Sequence, residues 1–286
     1  MPPFLQSVLQ PHGVEASAVL PLAWVLFVGG GAVFAVVMLL AAWAVWGGRR
    51  GWLAERRTVV FGGIAFPAVV LLALLVYSLL ASSRMHSALH GAPPALRIEV
   101  VGEQWWWRIH YLGGDGKLDF AAANEIHIPV GETVELALRS ADVLHSLWVP
   151  ALAGKLDMVP GKINRLRLRA DRAGVFRGQC AEYCGGPHAQ MAFFVVAVER
   201  PRFDAWAAAQ RAPAAASNPQ FEARCAACHA VRGTPAAGVL GPDLTHVGSR
   251  LSLGAGILPN NVGTAAAWIA TSQHLKPGNL MPAFDA

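Results

Sequence analysis

The sequence predicts a membrane α+β protein in three parts: a two-helix hairpin that crosses a bilayer, a β-sandwich, and a small helical domain. Three observations predict it. Two long runs near the front carry no charge, the hydrophobic period then falls to two, and a Cys-x-x-Cys-His motif follows a stretch rich in Ala and Pro. Composition agrees, with 54% of the 286 residues hydrophobic and 14% charged, against roughly 25% charged in an average soluble domain. This balance excludes disorder and argues against a purely soluble enzyme. The net charge of +5 is not gathered into a basic stripe, so a nucleic-acid groove is not expected.

Ala18–Trp46 and Thr58–Ser83 contain no charged side chain, and each exceeds the roughly 20 residues needed to cross a bilayer. Both are expected to be membrane helices, about 18–46 and 58–83, within an N-terminal part covering 1–92. Trp43, Trp46 and Trp52 fall near the end of the first span, where indole rings favour the headgroup region. Residues 1–17 hold no Lys or Arg, unlike the basic start of a signal peptide, so the first span is expected to be retained. Between the spans Arg49, Arg50, Arg56 and Arg57 outweigh Glu55, and the positive-inside rule puts loop 47–57 in the cytoplasm. Both termini then lie on the periplasmic side of what reads as a bacterial inner membrane.

From Leu96 to Arg200 apolar residues alternate: Ile126, Ile128 and Val130; Val134, Leu136 and Leu138; Leu166, Leu168 and Ala170; then Phe193–Val198. Turn signals such as Gly113-Gly114-Asp115-Gly116 and Pro129-Val130-Gly131 separate them. Short antiparallel strands in a sandwich or Greek-key barrel are expected over 93–200. At its end, Cys180-Ala181-Glu182-Tyr183-Cys184-Gly185-Gly186-Pro187-His188-Ala189-Gln190-Met191 offers two thiolates, an imidazole and a thioether, and His145 lies upstream. Such soft donors suit copper, whereas zinc takes Cys and His without Met. Two cysteines four apart can bridge two metals, with His145 and Met191 or His188 finishing each shell. A binuclear centre fits better than a mononuclear blue-copper site, which uses one Cys. A Cys180–Cys184 disulfide leaves the other donors without a role.

Pro201–Pro219 reads as a linker covering 201–219. Cys225-Ala226-Ala227-Cys228-His229 is the attachment pattern of a c-type haem. The only methionine after His229 is Met281, the candidate sixth ligand, with His246 and His274 as competitors; His/Met ligation raises the potential and suits electron transfer. A domain as small as 220–286 has a thin core, so covalent haem doubles as its staple.

The span–span–sandwich order, Gln104-Trp105-Trp106-Trp107, the His145 segment, Lys155-Leu156-Asp157-Met158-Val159-Pro160-Gly161 and the Cys180–Met191 loop resemble subunit II of haem–copper cytochrome c oxidases. With the appended haem motif, the chain resembles the caa-type branch. The resemblance implies a cupredoxin-like sandwich and a binuclear CuA centre ligated by His145, Cys180, Cys184, His188, Met191 and the carbonyl of Glu182. It also implies Mg2+ at the subunit I interface through the Glu182 carboxylate, and electron entry to CuA at Trp105. The tail resembles a small all-α class I cytochrome c, in which a carbonyl of Gly241-Pro242-Asp243-Leu244 takes the proximal imidazole proton.

The implied activity is that of an electron-transfer subunit. Haem c on Cys225, Cys228, His229 and Met281 feeds CuA, then subunit I, where oxygen is reduced to water with proton translocation; the oxygen-reducing site is not on this chain. Implied partners are subunit I, other oxidase subunits, the membrane, and cytochrome c or another periplasmic donor. The alternatives are the CuA-bearing subunit of a nitric oxide reductase and a copper carrier without turnover. Two departures from the pattern stand out. Many relatives open the second span with a glutamate, but Phe61–Pro67 has none, leaving Glu55 the nearest carboxylate; class I cytochromes close with a C-terminal helix, but five residues follow Met281.

Overall fold

The computed structural model describes residues 4–47, 51, 55–216 and 218–284. Arg49, Arg50 and Trp52, on which part of the orientation argument rests, lie outside the described residues, as does Ser217 of the linker. The chain divides into two compact units: Ser17–Gly91, and Met1–Ala16 together with Ala92–Ala286.

The first of these holds the apolar helices. Helix α1 (Val14–Trp46) has no buried residue, as expected of a helix that is apolar all round and faces lipid. Its 33 residues reach about 50 Å at 1.5 Å per residue, longer than the ~30 Å hydrocarbon layer. Helix α2 (Arg56–Val60), a π-helical turn (Phe61–Ala65) and helix α3 (Phe66–His90) form the second rod, 35 residues in all. The wide turn falls on Gly62-Gly63, where missing side chains leave the i→i−4 ladder easiest to open. Both rods outrun the charge-free stretches, because absence of charge marks the apolar layer and not the end of a helix.

In the second unit lie β1 (Leu96–Glu103), β2 (Trp106–Leu112), β3 (Leu118–Ala123), β4 (Glu125–Pro129), β5 (Val134–Ser140), β6 (His145–Trp148), β7 (Leu156–Met158), β8 (Asn164–Leu168), β9 (Gly174–Cys180) and β10 (Ala192–Val198). They form two five-stranded sheets, ordered β3-β2-β1-β5-β8 and β4-β10-β9-β6-β7. The expected antiparallel pairing is corrected at two places: β1 pairs parallel with β5 and β4 parallel with β10. Alternation settles which face a side chain takes and leaves the neighbouring strand open. Ile98, Ile128, Val134, Leu136 and Leu138 are fully buried, so the alternating positions do form the core.

The unbroken run in β10 has a specific cause. Phe193 and Val195 face the sandwich core, while Phe194 on the other face meets Phe4 with ring centroids 5.7 Å apart. Residues 4–16, expected only as a lead-in to the first span, are part of this unit. Leu5 N–H donates to the Val175 carbonyl and the Leu5 carbonyl accepts from Arg177 N–H, both at 2.9 Å, while the His12 carbonyl accepts from Asp171 N–H at 2.8 Å. A strand with both faces covered reads as continuous apolar sequence.

The stretch expected as a linker is shorter than 201–219. Helix α4 (Arg200–Arg211) buries Phe203, Ala207 and Gln210 along one face. Its Trp206 stacks on His127 at 4.0 Å and meets the Tyr111 ring edge-on at 5.4 Å. The tail carries helix α5 (Pro219–Arg224), capped by the Asn218 side chain accepting from Gln220 N–H. Helix α6 (Val262–Leu275) opens with a reciprocal cap between Asn261 and Thr264. Two-residue strands β11 (Ser252–Leu253) and β12 (Leu258–Pro259) add a small ribbon to the helical pattern expected there.

Candidate metal centre

Strand pairing builds the copper loop. β6 lies beside β9 with Leu147 opposite Cys180, which sets His145, at the start of β6, next to the cysteine that ends β9. The loop then closes on itself: Cys180 N–H donates to the Met191 carbonyl and Ala181 N–H to the Ser146 carbonyl, both at 2.9 Å. Gly185 takes φ +113°, and a Cβ there would lie 2.9 Å from the Trp105 ring. Both facts reserve that position for glycine.

Every donor named from the sequence arrives at one place. The Sγ atoms of Cys180 and Cys184 are 3.7 Å apart. His145 Nδ1 is 3.8 Å from Cys180 Sγ, and the Glu182 carbonyl oxygen 3.2 Å from the same sulfur. His188 Nδ1 and Met191 Sδ stand 3.4 and 3.8 Å from Cys184 Sγ. The ligand atoms of His145, Cys180 and Cys184 all lie within 4.8 Å of one another, and these residues and Met191 are buried. This set of two thiolates, two imidazoles, a thioether and a carbonyl, largely buried, fits a binuclear copper centre.

Electrostatics point the same way. The Cys184 thiol beside it, followed by His145, holds the Cys180 pKa well below the ordinary thiol range, and the same contact pushes Cys184 up. Burial pulls the His145 pKa down, but Cys180 and Asp142 reverse this and leave it raised. A bound cation favours both thiolates at once, because it neutralises the charge each imposes on the other.

Asp142 is a functional residue that the sequence reasoning passed over. Its Oδ1 accepts from His145 Nε2 at 2.7 Å, which leaves the Nδ1 lone pair aimed at the sulfurs. Carboxylate–imidazole pairs of this kind fix the tautomer and orientation of a ligand histidine. The signal was its position three residues before His145. Gln104 is a second: its Nε2 and Trp105 Nε1 both donate to the Cys184 carbonyl at 2.8 Å. Trp105 is thereby anchored directly to a copper-loop backbone. Trp107 is fully buried, its ring 5.1 Å from Phe193 and 6.2 Å from His145, whereas Trp106 lies under the Arg108 guanidinium. The Glu182 carboxylate is half-exposed and pairs with Lys155 at 3.1 Å. An exposed pair of this type is weak enough for a divalent cation to displace.

The second site is also pre-shaped. His229 Nδ1 donates to the Pro242 carbonyl at 2.8 Å, which frees Nε2 for an axial bond, and the Cys225 and Cys228 thiols are unbridged. A Cβ on Gly241 would lie 2.5 Å from His229 Cε1, so the backbone approaches the imidazole as only glycine allows. Met281 is fixed through its backbone, its N–H donating to Asn279 Oδ1 and its carbonyl accepting from Ser272 Oγ and Gln273 Nε2. Of its competitors, His246 spends Nε2 on the Ala212 carbonyl at 2.9 Å, and His274 is exposed on α6. Val239, Leu240, Val262 and Leu280 are all more than two-thirds exposed. That surplus of uncovered apolar side chains fits a large apolar prosthetic group.

Fold and sites together define a cupredoxin-like sandwich with a donor cluster fit for copper, joined to a tail that carries a c-type haem attachment motif. The family model "Cytochrome C oxidase subunit II, periplasmic domain" matches residues 113–198, and the "Cytochrome c" model matches 214–286. Residues 113–198 are thus a domain of the cytochrome c oxidase subunit II periplasmic type, followed over 214–286 by a cytochrome c domain. It is 45% identical over 196 residues to cytochrome c oxidase subunit 2 of Alkalihalophilus pseudofirmus, a match covering 65% of this chain and 55% of the relative. It is 33% identical over 202 residues to the same subunit of Bacillus sp. PS3, covering 64% and 55%. The chain thus spans little more than half the length of these curated relatives. The crystal structure of the periplasmic domain of subunit II of cytochrome oxidase from Bradyrhizobium japonicum is 30% identical, with a TM-score of 0.39, covering 42% of this chain and 96% of that one. Two apolar helices of spanning length and this kinship make the chain a membrane-anchored protein.

Proposed function

We propose that the chain conducts electrons from its cytochrome domain to its copper loop and on to a separate subunit I, where oxygen is reduced to water with proton translocation. The observation that carries this reading is the convergence of His145, Cys180, Glu182, Cys184, His188 and Met191 around a 3.7 Å Sγ–Sγ pair. The same compact unit contains the haem-attachment motif. Copper held there supplies a one-electron relay. Haem c held by Cys225, Cys228, His229 and Met281 supplies the entry station. Trp105, tied to the Cys184 carbonyl, is the side chain through which electrons reach the copper loop, and the Glu182 carboxylate is the candidate Mg2+ ligand at the face toward subunit I.

The oxygen-reducing site belongs to that other subunit, and the remaining partners are further oxidase subunits and a periplasmic donor such as cytochrome c. We place the parts at 1–92, 93–200 and 220–286, with the linker narrowed to about 212–219 by helix α4. The membrane is taken as a bacterial inner membrane, with both termini periplasmic and loop 47–57 cytoplasmic. What supports this orientation is that residues 4–16 and 92–284, which flank the helical hairpin, share one compact unit.

The test is turnover of the complex that copurifies with this chain, given reduced cytochrome c, with oxygen compared against nitric oxide. Oxygen consumption that disappears in Cys184→Ser is the expected outcome. Nitric oxide reduction without oxygen turnover would transfer the same ligands to a nitric oxide reductase, and activity unaltered by Cys184→Ser would remove copper from the path.

A further inference from the structure

Lys276 lies in the cytochrome part, immediately after α6, and is 2% exposed. Its Nζ donates to three carbonyl oxygens, those of Trp105 at 2.6 Å, Gln190 at 3.0 Å and Gly254 at 3.0 Å. A lysine ammonium has three donors and no acceptor, so each proton has a partner. The partners come from both modules. Gly254 belongs to the cytochrome part, Trp105 is the tryptophan bonded to the Cys184 carbonyl, and Gln190 directly precedes Met191.

Around this point the two modules touch closely. A Cβ on Gly278, three residues before Met281, would stand 3.5 Å from the Trp105 ring. Ala192 N–H donates to the Ala255 carbonyl at 3.0 Å, and Leu251 N–H to Glu125 Oε2 at 2.8 Å. Trp105 is therefore bracketed, with the copper loop on one side and the segment leading to Met281 on the other. Among the described residues, Lys276 is the single side chain whose hydrogen bonds reach backbone carbonyls of both modules, those of Trp105 and Gln190 in one and Gly254 in the other.

We propose that Lys276 is a positioning residue for electron transfer within the chain, latching the Met281 segment against Trp105 so that the two modules stay docked. Its hydrogen bonds go to carbonyls and to no copper donor or haem anchor, its charge is felt by Cys184, and it positions through the carbonyls of Trp105 and Gln190. The inference rests on the reading of the chain as a haem-to-copper conductor. Charge-assisted hydrogen bonds that must be replaced by water or left unmade shift an equilibrium by about 10- to 100-fold each, so loss of the latch moves the docked population substantially toward the undocked one.

Two measurements on the purified holo-complex test it. In the wild type, acetylation with an amine-reactive ester followed by mass spectrometry should modify exposed Lys117 and Lys162 and spare Lys276; equal labelling of Lys276 would overturn the latch without any variant. In Lys276→Met, haem content, haem potential and the copper paramagnetic resonance spectrum should match the wild type. Amide exchange at 105–107 and 276–281 should accelerate, and haem-to-copper transfer after photoreduction should slow at least about tenfold, the lower end of that range. An unchanged exchange pattern and rate would refute the proposal, as would loss of haem with the copper spectrum intact, which would make Lys276 a fold residue of the cytochrome. Absence of a copper spectrum in the wild type would instead refute the conductor reading and leave the labelling result standing.

Discussion

The sandwich and the cytochrome part share one compact unit, yet they are held together by opposite means. In the sandwich Trp107, Phe176, Phe193, Ile98, Leu136 and Leu147 are buried essentially completely, and each such side chain contributes about 1.5–3 kcal/mol when removed from water. Its metal donors sit on strands already secured by that core. In the described residues 218–284, Ala236 and Ala255 are the buried apolar side chains, while Leu280 and Val262 are 91% and 87% exposed. One module is a finished fold that presents a site; the other is a set of short elements arranged around the place of its prosthetic group. A copper site can therefore be emptied without dismantling its scaffold, whereas the haem site and its scaffold stand or fall together.

The largest expected effect breaks the comparison on the cytochrome side. Cys225→Ser with Cys228→Ser should abolish haem attachment and unfold 218–284. Limited proteolysis should then cut throughout that segment and leave a resistant fragment spanning 92–211. Survival of a protease-resistant tail would mean that its core is more self-sufficient than its burial indicates.

A smaller effect sharpens the other half. Cys180→Ser should eliminate the copper spectrum, leave haem c reducible, and preserve a cooperative denaturant transition for the sandwich. A broadened or missing transition would make copper part of that fold's stability.

Smaller still is Asp142→Asn. The amide can still face His145 but no longer fixes its tautomer by charge, and copper affinity should fall about 10- to 100-fold, as for other partners of ligand histidines. Competition with a graded copper chelator reads this directly. Unchanged affinity would show that strand β6 alone orients the imidazole.

Much of this architecture is legible in the sequence for a physical reason: most donors of both cofactor sites fall in contiguous stretches, twelve residues from Cys180 to Met191 and five from Cys225 to His229, with His145 and Met281 added from a distance. Soft donors and thioether anchors are rare residue types, so their clustering is informative. The sandwich faces follow from alternation, and the spans from absence of charge. What sequence reasoning missed works through backbone groups or at long range. Lys276 reads as an ordinary loop lysine, since the carbonyls it binds belong to residues whose side chains do not announce them. Asp142 stands three positions before His145 but resembles any surface aspartate until His145 Nε2 is placed against it. The parallel neighbours β1·β5 and β4·β10 depend on how the chain crosses over, which periodicity does not encode. Helix α4 was hidden by the Ala and Pro content that made 201–219 look like a tether.

The N-terminal strap on β9 sets an order of events during synthesis. Gln6 Nε2 donates to Gln179 Oε1, a partner 173 positions later, and two apolar rods are made between them. In the proposed orientation, residues 4–16 cross the membrane ahead of the first rod and then wait for the loop bearing Cys180 to follow. Closing that edge of the sandwich is thus a checkpoint that only a correctly threaded hairpin passes, and copper loading can report on membrane insertion.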